Sequence, residues 1–134
     1  MDLDNTIVPW GSREVSPRLP AWIAAARDAD LQLCIVSNNM GSRVSAIAAQ
    51  LGLPVVAGAL KPRRHALRRA LAVMDTTPEV TALVGDQLLT DILGGNRLGL
   101  HTILVRPQSR HEFVLTRLVR LVERYVLGRG PVSR

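Results

Sequence analysis

Short apolar runs alternate with stretches of helical spacing along most of this chain. Leu31-Gln32-Leu33-Cys34-Ile35-Val36 and Val80-Thr81-Ala82-Leu83-Val84 read as buried strands, and Val55-Val56-Ala57 and His101 to Val105 as two more. Pro20 suits a first helical residue, and a helix is predicted from there through Ala29. Ser42 is placed to cap a helix carrying Val44, Ile47, Ala48 and Leu51 on one face, and Gly52 stops it. Further helices are predicted from about Arg64 to Met74 and from about Thr90 to Leu98, the latter weakened in its middle by Gly94-Gly95. Strand and helix in alternation predict an α/β fold: a parallel sheet with helices on both faces.

Every polar cluster follows the C-terminal end of a predicted strand, the edge at which open α/β sheets bind ligands. Ser37-Asn38-Asn39 follows the first strand, Lys61-Pro62 comes after Val55-Val56-Ala57, and Gly85-Asp86 follows Val84. At the start of the chain stands Asp2-Leu3-Asp4-Asn5-Thr6. Each piece taken alone reads as well or better as a turn, a solvated charge or a helix-start charge. Their joint occurrence in order is what those bland readings explain badly.

Phosphoryl transfer by an aspartate needs a nucleophile, a proton donor, donors for the equatorial oxygens and a metal to offset charge. Asp2 or Asp4 can supply the first two, Ser37 and the amides around Asn38 the donors, and Lys61 a positive charge. Asp86 and Asp91 can complete an oxygen-rich Mg²⁺ site.

Composition sharpens this in two places. Lys61 is the only lysine among 17 basic residues, and aromatics make up 3% of 134 residues, so the core must be aliphatic. The net charge of +6 suits phosphates, nucleic acid or anionic lipid as partners, and equally a soluble protein with a basic tail. Cys34 stands alone, which excludes an internal disulfide and suits a reducing, cytoplasmic setting. No apolar run is long enough to span a membrane. Residues 108–127 predict an amphipathic helix, with Phe113, Val114, Leu118, Leu121, Val122 and Tyr125 on one face and Arg117, Arg120 and Arg124 on another. It reads as packed on the domain or as a peripheral contact with anionic membrane.

These motifs resemble those of the haloacid dehalogenase (HAD) superfamily of phosphatases, over residues 2–107. Ser37-Asn38-Asn39, Lys61-Pro62 and the block from Gly85 to Arg97 resemble, more narrowly, the YqeG family of subfamily IIIA, whose relatives include phosphatidylglycerophosphate phosphatases. The resemblance implies a Rossmann-like three-layer α/β/α fold, with 1–107 as phosphatase domain and 108–134 as a basic tail. It implies a Mg²⁺-dependent phosphomonoester hydrolase with Asp2 as the nucleophile that forms an aspartyl-phosphate. Asp4 would protonate the leaving oxygen and then activate water. Ser37 and Lys61 would hold the phosphoryl group, and Thr6 and Asn38 would bond within the phosphate loop. Asp86 would bind the metal with Asp2 and the backbone carbonyl of Asp4, and Asp91 would support the metal shell or orient Lys61. The short stretch after Thr6 leaves no room for a large cap, so the open site suits a phosphate on a macromolecule, a lipid or another bulky group; the partner expected is a phosphorylated small molecule or lipid head group.

One departure stands out. The family places an apolar strand before its first aspartate, in mid-sheet, and here only Met1 precedes Asp2. The expectation is a truncated first strand, a natural start upstream, and a product that is weakly stable and poorly active. Two rival readings come with it. One is a basic nucleic-acid or ribosome-binding module with a vestigial site, disfavoured by few aromatics and no recognised motif. The other is a receiver-like domain, which Asp4 argues against because a proton donor beside the nucleophile speeds turnover.

Overall fold

The computed structural model describes residues 1–109. Helices α1 (Leu19–Asp28), α2 (Ser42–Leu51), α3 (Arg64–Val73) and α4 (Leu93–Leu98) alternate with strands β1 (Ile35–Val36), β2 (Val55–Val56), β3 (Ala82–Gly85) and β4 (His101–Leu104). The predicted tail helix at 108–127 lies outside the described residues, apart from Gln108 and Ser109. Among the described residues no helix is long and apolar enough to cross a membrane.

Both strand pairings are parallel. Ile35 and Val36 lie opposite Val55 and Val56, and β3 runs beside β4 from Ala82–His101 to Gly85–Leu104. Met1 and Asp2 stand between the pairs. The Val36 N–H donates to the Met1 carbonyl at 2.8 Å, and the Asp2 N–H donates to the Val84 carbonyl at 2.8 Å. The centre of the sheet, expected without its strand, is held by these two residues. The spatial order is β2, β1, Met1-Asp2, β3, β4.

Alternation along β1 assigns the layers, because successive side chains of a strand face opposite ways. Ile35 packs with Leu3, Ile23, Val44 and Ile47, the core under α1 and α2. Cys34 and Val36 pack with Val56, Leu67, Leu71 and Leu83, the core under α3. Both cores are aliphatic, as the scarcity of aromatics requires.

Four elements differ from expectation, the first being the strand predicted from Val80, which begins at Ala82 after a 3₁₀ turn over Pro78–Val80. The six-residue run Leu31–Val36 forms ladder bonds only at its last two residues. Its partner β2 is two residues long and follows Pro54, which has no N–H to give. Gly41, with φ of 104°, takes the cap position expected of Ser42, which becomes the first helical residue. The helix predicted from Thr90 begins earlier, as a π-turn over Leu88–Ile92 that runs into α4.

The glycine pair in α4 has a packing reason. A Cβ on Gly95 would lie 2.5 Å from the Thr102 methyl of β4, and one on Gly94 would lie 3.2 Å from the Pro62 Cα. Low helix propensity is accepted here because it brings α4 against the sheet and against the loop that carries Lys61.

Candidate active site

The opening pentapeptide folds as a tight loop. The N–H groups of Thr6, Ile7 and Val8 all point at the Leu3 carbonyl, and Asn5 takes a φ of 59°, which asparagine tolerates better than most residues. Leu3 is fully buried in the core. Side chains alternate in this extended stretch, so anchoring Leu3 sends Asp2 and Asp4 away from the core together.

Asp2 enters a buried ionic cluster. The Lys61 ammonium donates to Asp2 Oδ1 at 2.6 Å, to Asp91 Oδ1 at 2.6 Å and to the Val36 carbonyl at 2.8 Å. All three of its protons are used, and its side chain is 1% exposed. The other Asp91 oxygen accepts from the Gln87 N–H at 3.2 Å. Asp91 is 0% exposed and Asp86 2%. The π-turn presents Asp91 to Lys61, and Gly85 leaves the room: a Cβ there would lie 2.2 Å from the Asp91 carboxyl carbon. Asp91 therefore touches Lys61 directly and also lies among the carboxylates that could hold a metal.

Asp2, Asp86 and Asp91 each bring a carboxylate oxygen within 4.8 Å of the others. Three buried carboxylates face one ammonium, so the pocket carries more negative than positive charge. The shifts agree with that excess. Burial pushes the Asp2 pKa up, the Lys61 charge opposes this, and Asp91 adds to the rise. Burial pulls the Lys61 pKa down, but the charges of Asp2 and Asp91 outweigh it and the net shift is upward. An all-oxygen donor set with surplus negative charge fits a hard divalent cation.

Asp4 belongs to a second network. Its carboxylate accepts from the Gly11 N–H at 3.0 Å, from Asn39 Nδ2 at 2.7 Å, and from Arg43 Nη2 at 2.8 and 2.7 Å on its two oxygens. It stands apart from the cluster of Asp2, Asp86 and Asp91 carboxylates.

The loop after β1 joins the two networks. Ser37 is buried, and its hydroxyl accepts from the Asn39 N–H at 3.1 Å, which leaves its own hydrogen to donate. Asn38 brackets the Lys61 backbone with its carboxamide, accepting from the N–H at 2.7 Å and donating to the carbonyl at 3.2 Å. Its side chain therefore positions Lys61. The Thr6 hydroxyl is buried with no hydrogen-bond partner among the described residues, as suits a group awaiting a ligand. An open cavity of about 440 Å³ is lined by Pro62, Arg63, Arg64 and Arg97, next along the chain from Lys61 but without the site carboxylates in its lining.

Sequence reasoning missed Asn39 and Arg43 as site residues. Arg43 carried one usable signal. It is a cation in the first turn of a helix with no acidic residue in that turn, where the dipole disfavours it.

Comparison with known proteins identifies the family. A family model described as HAD-hydrolase-like matches residues 58–115. The chain is 44% identical over 127 residues to "Probable phosphatase YqeG" of Bacillus subtilis, covering 95% of this chain and 74% of that protein. It belongs to the YqeG family of HAD phosphatases. A chloroplastic phosphatidylglycerophosphate phosphatase 1 of Chlamydomonas reinhardtii is 31% identical over 115 residues, 79% of this chain but 43% of that protein. In fold, the chain resembles the cobalt-bound deoxy-D-mannose-octulosonate 8-phosphate phosphatase of Haemophilus influenzae. The TM-score is 0.59 at 17% identity, over 95% of this chain and 84% of the other. The α/β architecture is that of HAD phosphatases, and the chain is a phosphatase of this type.

Proposed function

We propose that this chain hydrolyses phosphomonoesters through an aspartyl-phosphate on Asp2, with Mg²⁺ held by Asp2, Asp86, Asp91 and the Asp4 carbonyl. The observation that carries the reading is the Lys61 ammonium, fully buried and bonded to Asp2 and Asp91 at 2.6 Å each. A structural salt bridge needs one partner. Two carboxylates with a third beside them cost much in desolvation and serve a charged ligand better than they serve stability.

A carboxylate oxygen of Asp2 attacks phosphorus and the ester P–O bond breaks. Asp4 gives its proton to the departing oxygen. Asp4 then takes a proton from water as that water attacks the aspartyl-phosphate, which frees inorganic phosphate and restores Asp2. When Asp2 attacks, its oxygen becomes part of an acyl phosphate, and the Lys61 contact passes to a phosphoryl oxygen. Ser37 and Thr6 donate their hydroxyl hydrogens to the remaining oxygens. The metal, when bound, offsets the charge that the nucleophile and the phosphoryl group bring together.

Only a loop separates Val8 from α1, so no cap closes the site on that side. The open mouth and the arginine-lined cavity favour an anionic ester of some bulk, a small molecule or a lipid head group. Phosphatidylglycerophosphate, the substrate in the algal relative's name, is the first lipid ester to try. A peripheral membrane contact through 108–127 belongs to the same reading. The test is turnover of p-nitrophenyl phosphate by wild type and Asp2→Asn, with and without EDTA. Activity is expected only for wild type with Mg²⁺. Turnover by a folded Asp2→Asn protein would remove the mechanism.

A further inference from the structure

Arg43 stands in the first turn of α2, against the helix dipole, yet it is not a solvated charge. Its side chain is 19% exposed. Nη2 reaches both oxygens of Asp4, and Nη1 donates to the Ser12 carbonyl at 2.9 Å. The guanidinium therefore ties the carboxylate to the loop that follows it. Asn39, four residues earlier, holds one Asp4 oxygen from the other side of the turn. A locally unfavourable charge held in one half-buried geometry is the mark of a residue kept for a task beyond helix stability.

We propose that Arg43, assisted by Asn39, is the positioning residue for proton transfer by Asp4. The inference rests on the phosphatase reading above and deepens it. A carboxylate on a short side chain can rotate, and a proton donor must meet the departing oxygen in line with the attacking one. Two hydrogen bonds from one nitrogen, a third from Asn39 and a fourth from the Gly11 amide fix that rotation. Because Ser37, Asn38, Asn39 and Arg43 follow one another from a single strand end, the segment that donates to the phosphoryl group also aims the acid.

This predicts dependence on the leaving group. Protonation matters greatly for an alkyl alcohol and little for p-nitrophenolate. The experiment measures kcat/KM, which reports the first chemical step, for an alkyl phosphate and for p-nitrophenyl phosphate. Arg43→Ala is expected to lower the alkyl-to-aryl ratio about ten- to a hundredfold, within the range of general acid–base catalysis. In an Asp4→Asn background, where the ratio has already collapsed, Arg43→Ala should lower it no further. Arg43→Lys keeps the charge but loses the fork; it is expected to fall between wild type and alanine, and it serves if alanine fails to fold. Equal losses on both esters, or a further drop in the Asp4→Asn background, would overturn the proposal while leaving the phosphatase reading intact. A folded, Mg²⁺-loaded wild type that is inactive on both esters would overturn both.

Discussion

Gly85→Ala is the sharpest test of how the site is built. The added methyl would sit 2.2 Å from Asp91 Cγ, 2.3 Å from Oδ2 and 2.5 Å from Cβ. Ordinary contact begins at 3.4 Å, so Asp91 must retreat by about 1.2 Å, the difference between 3.4 and 2.2. It has no slack: it is fully buried, with one oxygen on Lys61 and the other on the Gln87 N–H. Retreat breaks the 2.6 Å bond to Lys61. Losing one partner of a buried ion pair costs about 3–5 kcal/mol. Lys61 keeps Asp2 and the Val36 carbonyl, so a loss of about 2–4 kcal/mol is expected, counting the overpacking. At roughly 4 °C per kcal/mol for a domain of this size, Tm should fall by about 8–16 °C. Turnover should fall about 100-fold, the usual result of an ångström's misplacement near the chemistry. Differential scanning fluorimetry and p-nitrophenyl phosphate hydrolysis read the two effects. In an Asp91→Gly background, which removes the atoms struck, Gly85→Ala should cost far less. A variant with wild-type Tm and wild-type turnover would show that Asp91 does not occupy this position.

Three further outcomes follow from the same geometry. Asp2 has a folded-state pKa above its ordinary 3.8, mainly through burial. Without metal, the folded chain holds a proton that the unfolded chain sheds as pH rises past that value, so this stability is full below it and lost on rising through the folded pKa. In EDTA, Asp2→Asn should therefore gain in Tm on wild type as pH rises above about 4; a constant difference would mean that the charge is not buried as described. Double replacement of Arg63 and Arg97 by Ser should raise KM for anionic esters more than it lowers kcat, by about two- to tenfold at low salt and less at high salt; an effect confined to kcat would count against the cavity as a substrate approach. Gly95→Ala should destabilise by about 1–2 kcal/mol, overpacking against Thr102 less the helix-propensity gain, and Thr102→Ser should relieve it in a thermal melt; no relief would place the clash elsewhere.

The sequence by itself determined the order of the elements and the identity of the ionic cluster. Apolar runs and helical spacing depend on neighbours a few residues away, so α2 and α3 were legible to within a residue or two. Asp2, Lys61, Asp86 and Asp91 were legible because their motifs occur together, in order along the chain, and resemble those of one family. Tertiary structure decided the rest. That Met1 and Asp2 would hold the sheet's centre depends on Val36 and Val84 arriving on either side, and nothing local announces it. That Asn38 would serve the Lys61 peptide, and that Arg43 would grip Asp4 across 39 positions, follows from how α2 lies against the opening loop. Gly85 and Gly95 are the clearest case. Locally they read as a turn and a weak helix, but their missing side chains are spaces that Asp91 and Thr102 fill. Local signals report what each residue prefers, whereas packing and pairing over long sequence separations fix which residues meet, and the chemistry of this site lies in those meetings.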